Sequence, residues 1–183
     1  MAPTRQMTTS ALQATLKDGT LAGSWTLDAS RSAIGLRSKS MWGLAPVKGV
    51  FHQVSGNGTV SPDGQVSGTI TVAAPAIDTK NKKRDTHLRS ADFFDSETHP
   101  QITVRVDRIT PSSQGVTVTG ALTVRDRTQP LTFDATVPAV DGDEVWLDAE
   151  IQVNRADFGL TWNQLGMASM HNTITIHAVF TRA

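Results

Sequence analysis

Arg84, Asp85, His87 and Arg89 form the densest group of chemically versatile side chains in the sequence. They open the stretch 84–95, RDTHLRSADFFD, which also holds Asp92, Asp95 and the adjacent pair Phe93-Phe94. An arginine presents a planar fork of donors that matches phosphate or carboxylate, and a neutral imidazole can donate to a carbonyl such as that of a quinone. The group therefore reads as a clamp on the polar head of a ligand. The same residue types also build ion-pair networks that pin a crossover, with Asp85 paired to an arginine such as Arg155, and the residues alone leave both readings open. Trp42, Leu88, Phe93, Phe94, Phe158 and Trp162 are candidates to line a cavity or close its mouth, or they are ordinary core.

Other chemistries find no support. Asp92, Asp95 and Glu97 lie close together but have no recognisable base or nucleophile beside them. There is no G-x-S-x-G elbow and no phosphate-cradling glycine loop. His52, His87, His99, His171 and His177 form neither H-x-H nor H-E-x-x-H, so no metal site is expected. The chain has no cysteine, which excludes disulfides, thiolate catalysis and cysteine-ligated clusters. No catalytic residue and no cofactor is assigned.

The elements that must position these residues are mostly strands. From Trp25 onward the apolar residues recur every second position. Ile34, Leu36, Ser38, Ser40 and Trp42 share one face, and Ile102, Val104 and Val106 alternate with Thr103, Arg105 and Asp107. The same alternation runs through 66–74, 116–124, 131–137, 145–153 and 173–180, and 47–60 reads as a long strand interrupted by glycines. Turn signals such as Pro62-Asp63-Gly64 and Asp141-Gly142-Asp143 separate the runs and favour antiparallel neighbours. About eight strands with one apolar face each, and no large helix to cover them, leave a sandwich or a closed up-and-down barrel. Two stretches break the rhythm: 81–95, with a helical reading for 81–90, and 157–170, an apolar flap. Both are expected at barrel ends. Ser10 and Gln13 have the spacing of a capping box, Leu12 and Leu16 share a face and Gly19 suits a helix end, so a short helix is expected over 10–18. The domain reading is a tail and short helix over 1–22, then one β domain over 23–183.

Composition narrows the partners. The 183 residues carry 17 basic and 17 acidic side chains, a formal net charge of zero, with no basic run interleaved with aromatics, so nucleic acid is not an expected partner. No apolar run approaches the ~18 residues of a membrane helix. The opening residues show no apolar core of a signal peptide, and a cytoplasmic protein is expected.

Five motifs in order resemble the YceI-like family, described as lipocalin-like and polyisoprenoid-binding. They are Trp25-Thr26-Leu27-Asp28 with Ser32; Gly49-Val50-Phe51; Arg84-Asp85-Thr86-His87-Leu88 through Asp92-Phe93-Phe94-Asp95 to Pro100; Gly120-Ala121-Leu122-Thr123-Val124-Arg125 with Pro130-Leu131; and Asn154-Arg155-Ala156-Asp157-Phe158-Gly159. The resemblance implies an extended eight-stranded antiparallel barrel with a long apolar interior. It further implies one chain-like lipid held there (an isoprenoid quinone, a polyprenyl phosphate or a fatty-acid derivative) and a homodimer. Asp126 stands where the family usually has glycine, and the secretion signal that many members carry is not seen.

The expected function is to bind, and to carry or store, a long apolar ligand. Trp42, Arg84, His87, Leu88, Arg89, Phe93, Phe94, Phe158 and Trp162 are the expected contacts. At roughly 0.3 kcal/mol per heavy atom, about 15 carbons give only sub-millimolar binding and about 30 atoms reach micromolar, which favours a long isoprenoid. The alternatives are a cyclase or isomerase acting on a bound polyene, with Asp85 or His87 as the acid, and a structural or stress-response scaffold filled by its own side chains.

Overall fold

The computed structural model describes residues 7–183; the part of the expected tail that falls on 1–6 lies outside the described residues. Helix α1, Thr9–Lys17, is followed by β1, Gly23–Leu27, β2, Ala33–Ser40, β3, Ala45–Phe51, β4, Val54–Val60, β5, Val66–Ala73, and β6, Ile77–Asp78. Helix α2, Lys82–Arg89, then crosses to β7, Gln101–Ser112, β8, Gly115–Val124, β9, Arg127–Asp141, β10, Glu144–Asn154, and β11, His171–Arg182.

The antiparallel order β1-β4-β5-β7-β8-β9-β10-β11 closes on itself because β1 also pairs with β11, Trp25 opposite Arg182 and Leu27 opposite Phe180. This is a closed eight-stranded barrel. Closure consumes both edges of the sheet in that part of the wall. The remaining three strands continue existing ones rather than adding new positions. β2 lies further along β11 from β1, with Ile34 opposite Ile176. β3 then pairs with β2, and β6 with β3. Each of the first three strands is thus broken once, near 28–32, 52–53 and 74–76, into a lower half that closes the barrel and an upper half that splays. Among the described residues β6 pairs only with β3, so the upper wall is open between β6 and β7, and α2, which joins the two in sequence, packs against β6.

Motif residues fasten the first of these breaks and allow close strand packing at two other points. Asp28 accepts from the backbone N–H and the hydroxyl of Ser30 and from Arg31 Nε at 2.7 Å, while Ser32 Oγ accepts from Val179 N. Together they fasten the break in the first strand to β11. Gly49 faces β6, where an added Cβ would lie 2.8 Å from Ile77 and 3.1 Å from Thr79. At Gly120 an added Cβ would meet the Arg105 carbonyl oxygen, opposite the bulge between Val106 and Arg108.

α1 begins one residue before the expected start. Thr8, not Ser10, is the cap, accepting from Ala11 N. The helix closes the lower barrel end: Leu12 and Leu16 are buried, Thr9 Oγ1 donates to the Ser112 carbonyl, and Gly64 packs on the last turn. Burying two such leucines contributes about 1.5–3 kcal/mol each. β2 ends at Ser40, and Trp42, read as its next inward residue, instead occupies the hairpin tip.

Candidate ligand-binding site

The interior holds an elongated cavity of about 510 Å³ in the upper half and a second of about 140 Å³ above α1. Ile70, Val104 and Ile176 border both. Ile70 and Val104 are cross-strand partners on one wall, and Ile176 projects from β11 on another. The two cavities are therefore lobes separated by a waist of branched aliphatic side chains. The upper volume lies within the ~300–1,000 Å³ typical of small-molecule pockets. Eight residues of β2 at ~3.3 Å each, tilted by ~40° as barrel strands are, give the upper lobe a depth of about 20 Å.

Period-two alternation supplies the lobe's apolar body, with Ile34 and Leu36 from β2, Phe51 from β3, Val72 from β5 and Leu122 from β8. The polar groups collect at the top. Arg84 sits on α2, which starts where the Asn81 side chain accepts from Arg84 N. Its Nε donates to Thr79 Oγ1 at 2.8 Å and its Nη2 to the Thr79 carbonyl at 2.9 Å. Those bonds use one edge of the guanidinium and leave Nη1 without a partner among the described residues.

Arg155 is buried and also lines the lobe. Its guanidinium donates to the carbonyls of Ser169, Leu160, Trp162 and Ala168 at 3.0, 2.7, 2.8 and 3.4 Å. These bonds fold 155–170 around the side chain as a strap. Burial pushes its pKa down from the ordinary arginine value, yet arginine stays charged in proteins. Among the described residues no carboxylate pairs with it. The top of the lobe therefore carries a positive charge met by carbonyl dipoles and an aromatic face rather than by a counter-ion.

An aromatic cluster ties α2 to the strap. His87 lies 4.3 Å from the Trp162 ring and 5.1 Å from Phe93, both edge-to-face, and Phe93 lies 5.5 Å from Trp162. The Arg155 guanidinium stacks 5.4 Å above Phe93. His87 Nε2 is 2.9 Å from Asp92 Oδ2. Phe94 is buried edge-to-face against Phe51 at 6.1 Å, and Phe158, at the start of the strap, is buried.

Seven of the nine expected contacts line this lobe: Arg84, His87, Leu88, Phe93, Phe94, Phe158 and Trp162. Trp42 and Arg89 do not. Trp42 is exposed at the hairpin tip, and Arg89 donates to the Pro75 and Ile77 carbonyls, holding the segment that enters β6. The proposed Asp85–Arg155 pair is not formed. Asp85 is buried and accepts from Thr79 N at 2.9 Å and Thr79 Oγ1 at 2.6 Å, and it lies outside the lobe. Three charged residues of the 84–95 motif thus converge on 75–79, and Arg84 alone of them reaches the cavity. Arg155, Lys39, Lys83 and Asn172 also line it and were not among the expected contacts. Arg155 was discoverable from its motif. Lys39 gives no signal, since its parity on β2 is that of the outer face.

The family model for the YceI-like domain matches residues 25–181. The chain belongs to the YceI-like family. A curated UPF0312 protein of Staphylococcus aureus (strain N315) is 30% identical over 148 residues, 76% of this chain and 84% of its own length. Burkholderia cenocepacia BcnA has a similar fold, with a TM-score of 0.76 at 24% identity over 84% of this chain and 98% of that one. A polyisoprenoid binding domain from Saccharophagus degradans, described as implicated in plant cell wall breakdown, has a TM-score of 0.71 at 16% identity over 87% of this chain and 98% of its own. As a YceI-like chain, this protein shares a fold whose lumen suits an apolar ligand. No helix among the described residues is long and apolar enough to cross a membrane.

Proposed function

We propose that this YceI-like protein binds one long-chain apolar ligand, its tail running down the upper lobe toward the Ile70–Val104–Ile176 waist and its polar head beside Arg84 and Arg155. The observation that carries this reading is the apolar interior itself, an open lobe that leads from a polar top to an aliphatic waist. The free Nη1 of Arg84 and the uncompensated charge of Arg155 favour a head group with phosphate or carboxylate oxygens, since charge-assisted donors bind those most strongly. The description of the Saccharophagus neighbour as polyisoprenoid-binding supports an isoprenoid tail, with an acyl lipid as the related choice. The role is to carry or store that lipid.

An enzyme acting on a polyene needs an acid at the cavity wall. Asp85 is occupied with Thr79 outside the lobe, which leaves His87, held by Asp92, as the single candidate acid at the wall with no second catalytic group assigned beside it, so binding is the better-supported role. Native mass spectrometry of protein purified from its own source, followed by organic extraction, tests the proposal. One long isoprenoid or acyl species per chain is the expected result. A clean apo mass with no uptake of added polyprenyl phosphate, quinone or fatty acid overturns it.

A further inference from the structure

The described residues leave five large apolar side chains exposed, and four of them gather at one place. Met41, Trp42 and Leu44 form the β2–β3 hairpin tip, and Leu165 sits on the neighbouring tip of the 155–170 strap. Leu44 is 82% exposed, Leu165 77% and Trp42 68%, so none is half-covered core. The two tips are one surface. Trp42 N donates to the Met167 carbonyl at 3.2 Å, Ser169 N donates to the Lys39 carbonyl at 2.9 Å, and Gly166 lies against the Trp42 indole nitrogen.

Local backbone preference runs against these residues. Met41, Trp42 and Leu165 have φ of 49°, 55° and 53°, a region that suits glycine or asparagine and that bulky side chains avoid. Large apolar groups stand in turn positions where small polar ones would serve the hairpin better. Their surroundings are cationic. Lys39 and Lys48 lie on the two strands that carry the tip, Lys82 and Lys83 on α2 across the cavity top, and none of the four forms an ion pair among the described residues. Of the neighbouring acids, Asp78 is engaged with His52 and Lys80, Asp92 with His87 and Asp85 with Thr79, and Asp157 at the start of the strap is an exposed acid without an ion pair among the described residues. The net charge of zero therefore conceals a positive rim around an apolar tip.

We propose that this rim docks on an anionic lipid bilayer, with Trp42, Leu44 and Leu165 entering the interfacial layer and the lysines meeting lipid phosphates. Indole and aliphatic groups flanked by lysine match that layer in both polarity and charge. The same rim borders the cavity top, since Lys39, Ser40, Ala168 and Ser169 belong to both. A lipid passing between bilayer and lumen would then not cross bulk water. The docking rests on the rim's own chemistry, and the cavity reading supplies only its purpose.

Flotation of the full chain with phosphatidylcholine vesicles, with and without phosphatidylglycerol, tests this. Binding is expected to the anionic vesicles and to weaken with salt. Leu44→Ser/Leu165→Ser is expected to lower partitioning by about a hundredfold, since each leucine contributes about tenfold on burial. Removing Lys48 as Lys48→Gln is expected to lower it about fivefold. Uptake of a detergent-solubilised long-chain polyprenyl phosphate is read separately, and the leucine pair is expected to leave it unchanged. Failure of uptake with retained flotation overturns the cavity reading and leaves the docking standing. Absence of flotation with both vesicle types overturns the docking, as does a leucine variant that floats like the parent. Sedimentation showing a dimer that the leucine variant dissociates, without vesicle binding, assigns the rim to a second copy and also overturns it.

Discussion

Val104→Trp places a bulky ring at the waist and separates the proposed tail path from every other explanation of binding. Val104 faces Ile70 across the β5–β7 pair and borders both lobes, so the indole has cavity space to enter instead of packed core. The substitution adds about seven heavy atoms, and displacing as many ligand atoms at roughly 0.3 kcal/mol each weakens binding by about 2 kcal/mol, or ~30-fold. The loss applies only to ligands long enough to reach the waist, about 20 Å below the rim. Isothermal titration with a series of prenyl phosphates of increasing length reads this directly. Short members are expected to bind parent and variant equally, and long members to lose the full factor. A loss equal at all lengths, or none at any, refutes the placement of the tail.

The head-group end and the frame give three more expectations. Arg84→Gln removes a charged donor and is expected to weaken binding of a prenyl phosphate about tenfold or more in the same titration, while the corresponding prenyl alcohol changes little. Asp85→Ala strips the buried Thr79 N–H of its acceptor and is expected to cost about 2 kcal/mol or more in urea unfolding, with Asp85→Asn costing less. The Ser30 hydroxyl, with Arg31 beside it, lowers the Asp28 pKa to about 2. Its contribution is therefore fully present above the unfolded value near ~3.9 and is lost as pH falls through about 2. In Asp28→Asn that part of the acid-unfolding curve is expected to disappear, with stability reduced at neutral pH, as followed by circular dichroism.

Period-two alternation made the long strands legible, because each has one face in the lumen and one in water. It left barrel and sandwich unresolved, since closure depends on β1 meeting β11 and no local pattern records that pairing. The breaks near 28–32, 52–53 and 74–76 were equally hidden: alternation resumes after each, and only long-range register shows a lower barrel and a splayed upper half. Trp42 continued the inward parity of β2, but the hairpin turns at Met41 and carries the ring outward. The 84–95 motif marked the crossover, while the destination of each charge depended on where 75–79 runs past α2. Asp85 and Arg89 accordingly brace that segment, and Arg84 alone among the three reaches the lumen. Arg155 looked like an ion-pair partner because its strap of carbonyls cannot be seen before 155–170 folds around it.

The central claim is that a ligand tail lies inside the barrel above the waist. Photo-crosslinking measures this most directly: a long-chain phosphate carrying a terminal diazirine is loaded, irradiated and mapped by peptide mass spectrometry. Adducts on Ile70, Val104 or Ile176 and their lumen neighbours are the expected result. Adducts confined to the outer face or the rim at Trp42, Leu44 and Leu165 would contradict it.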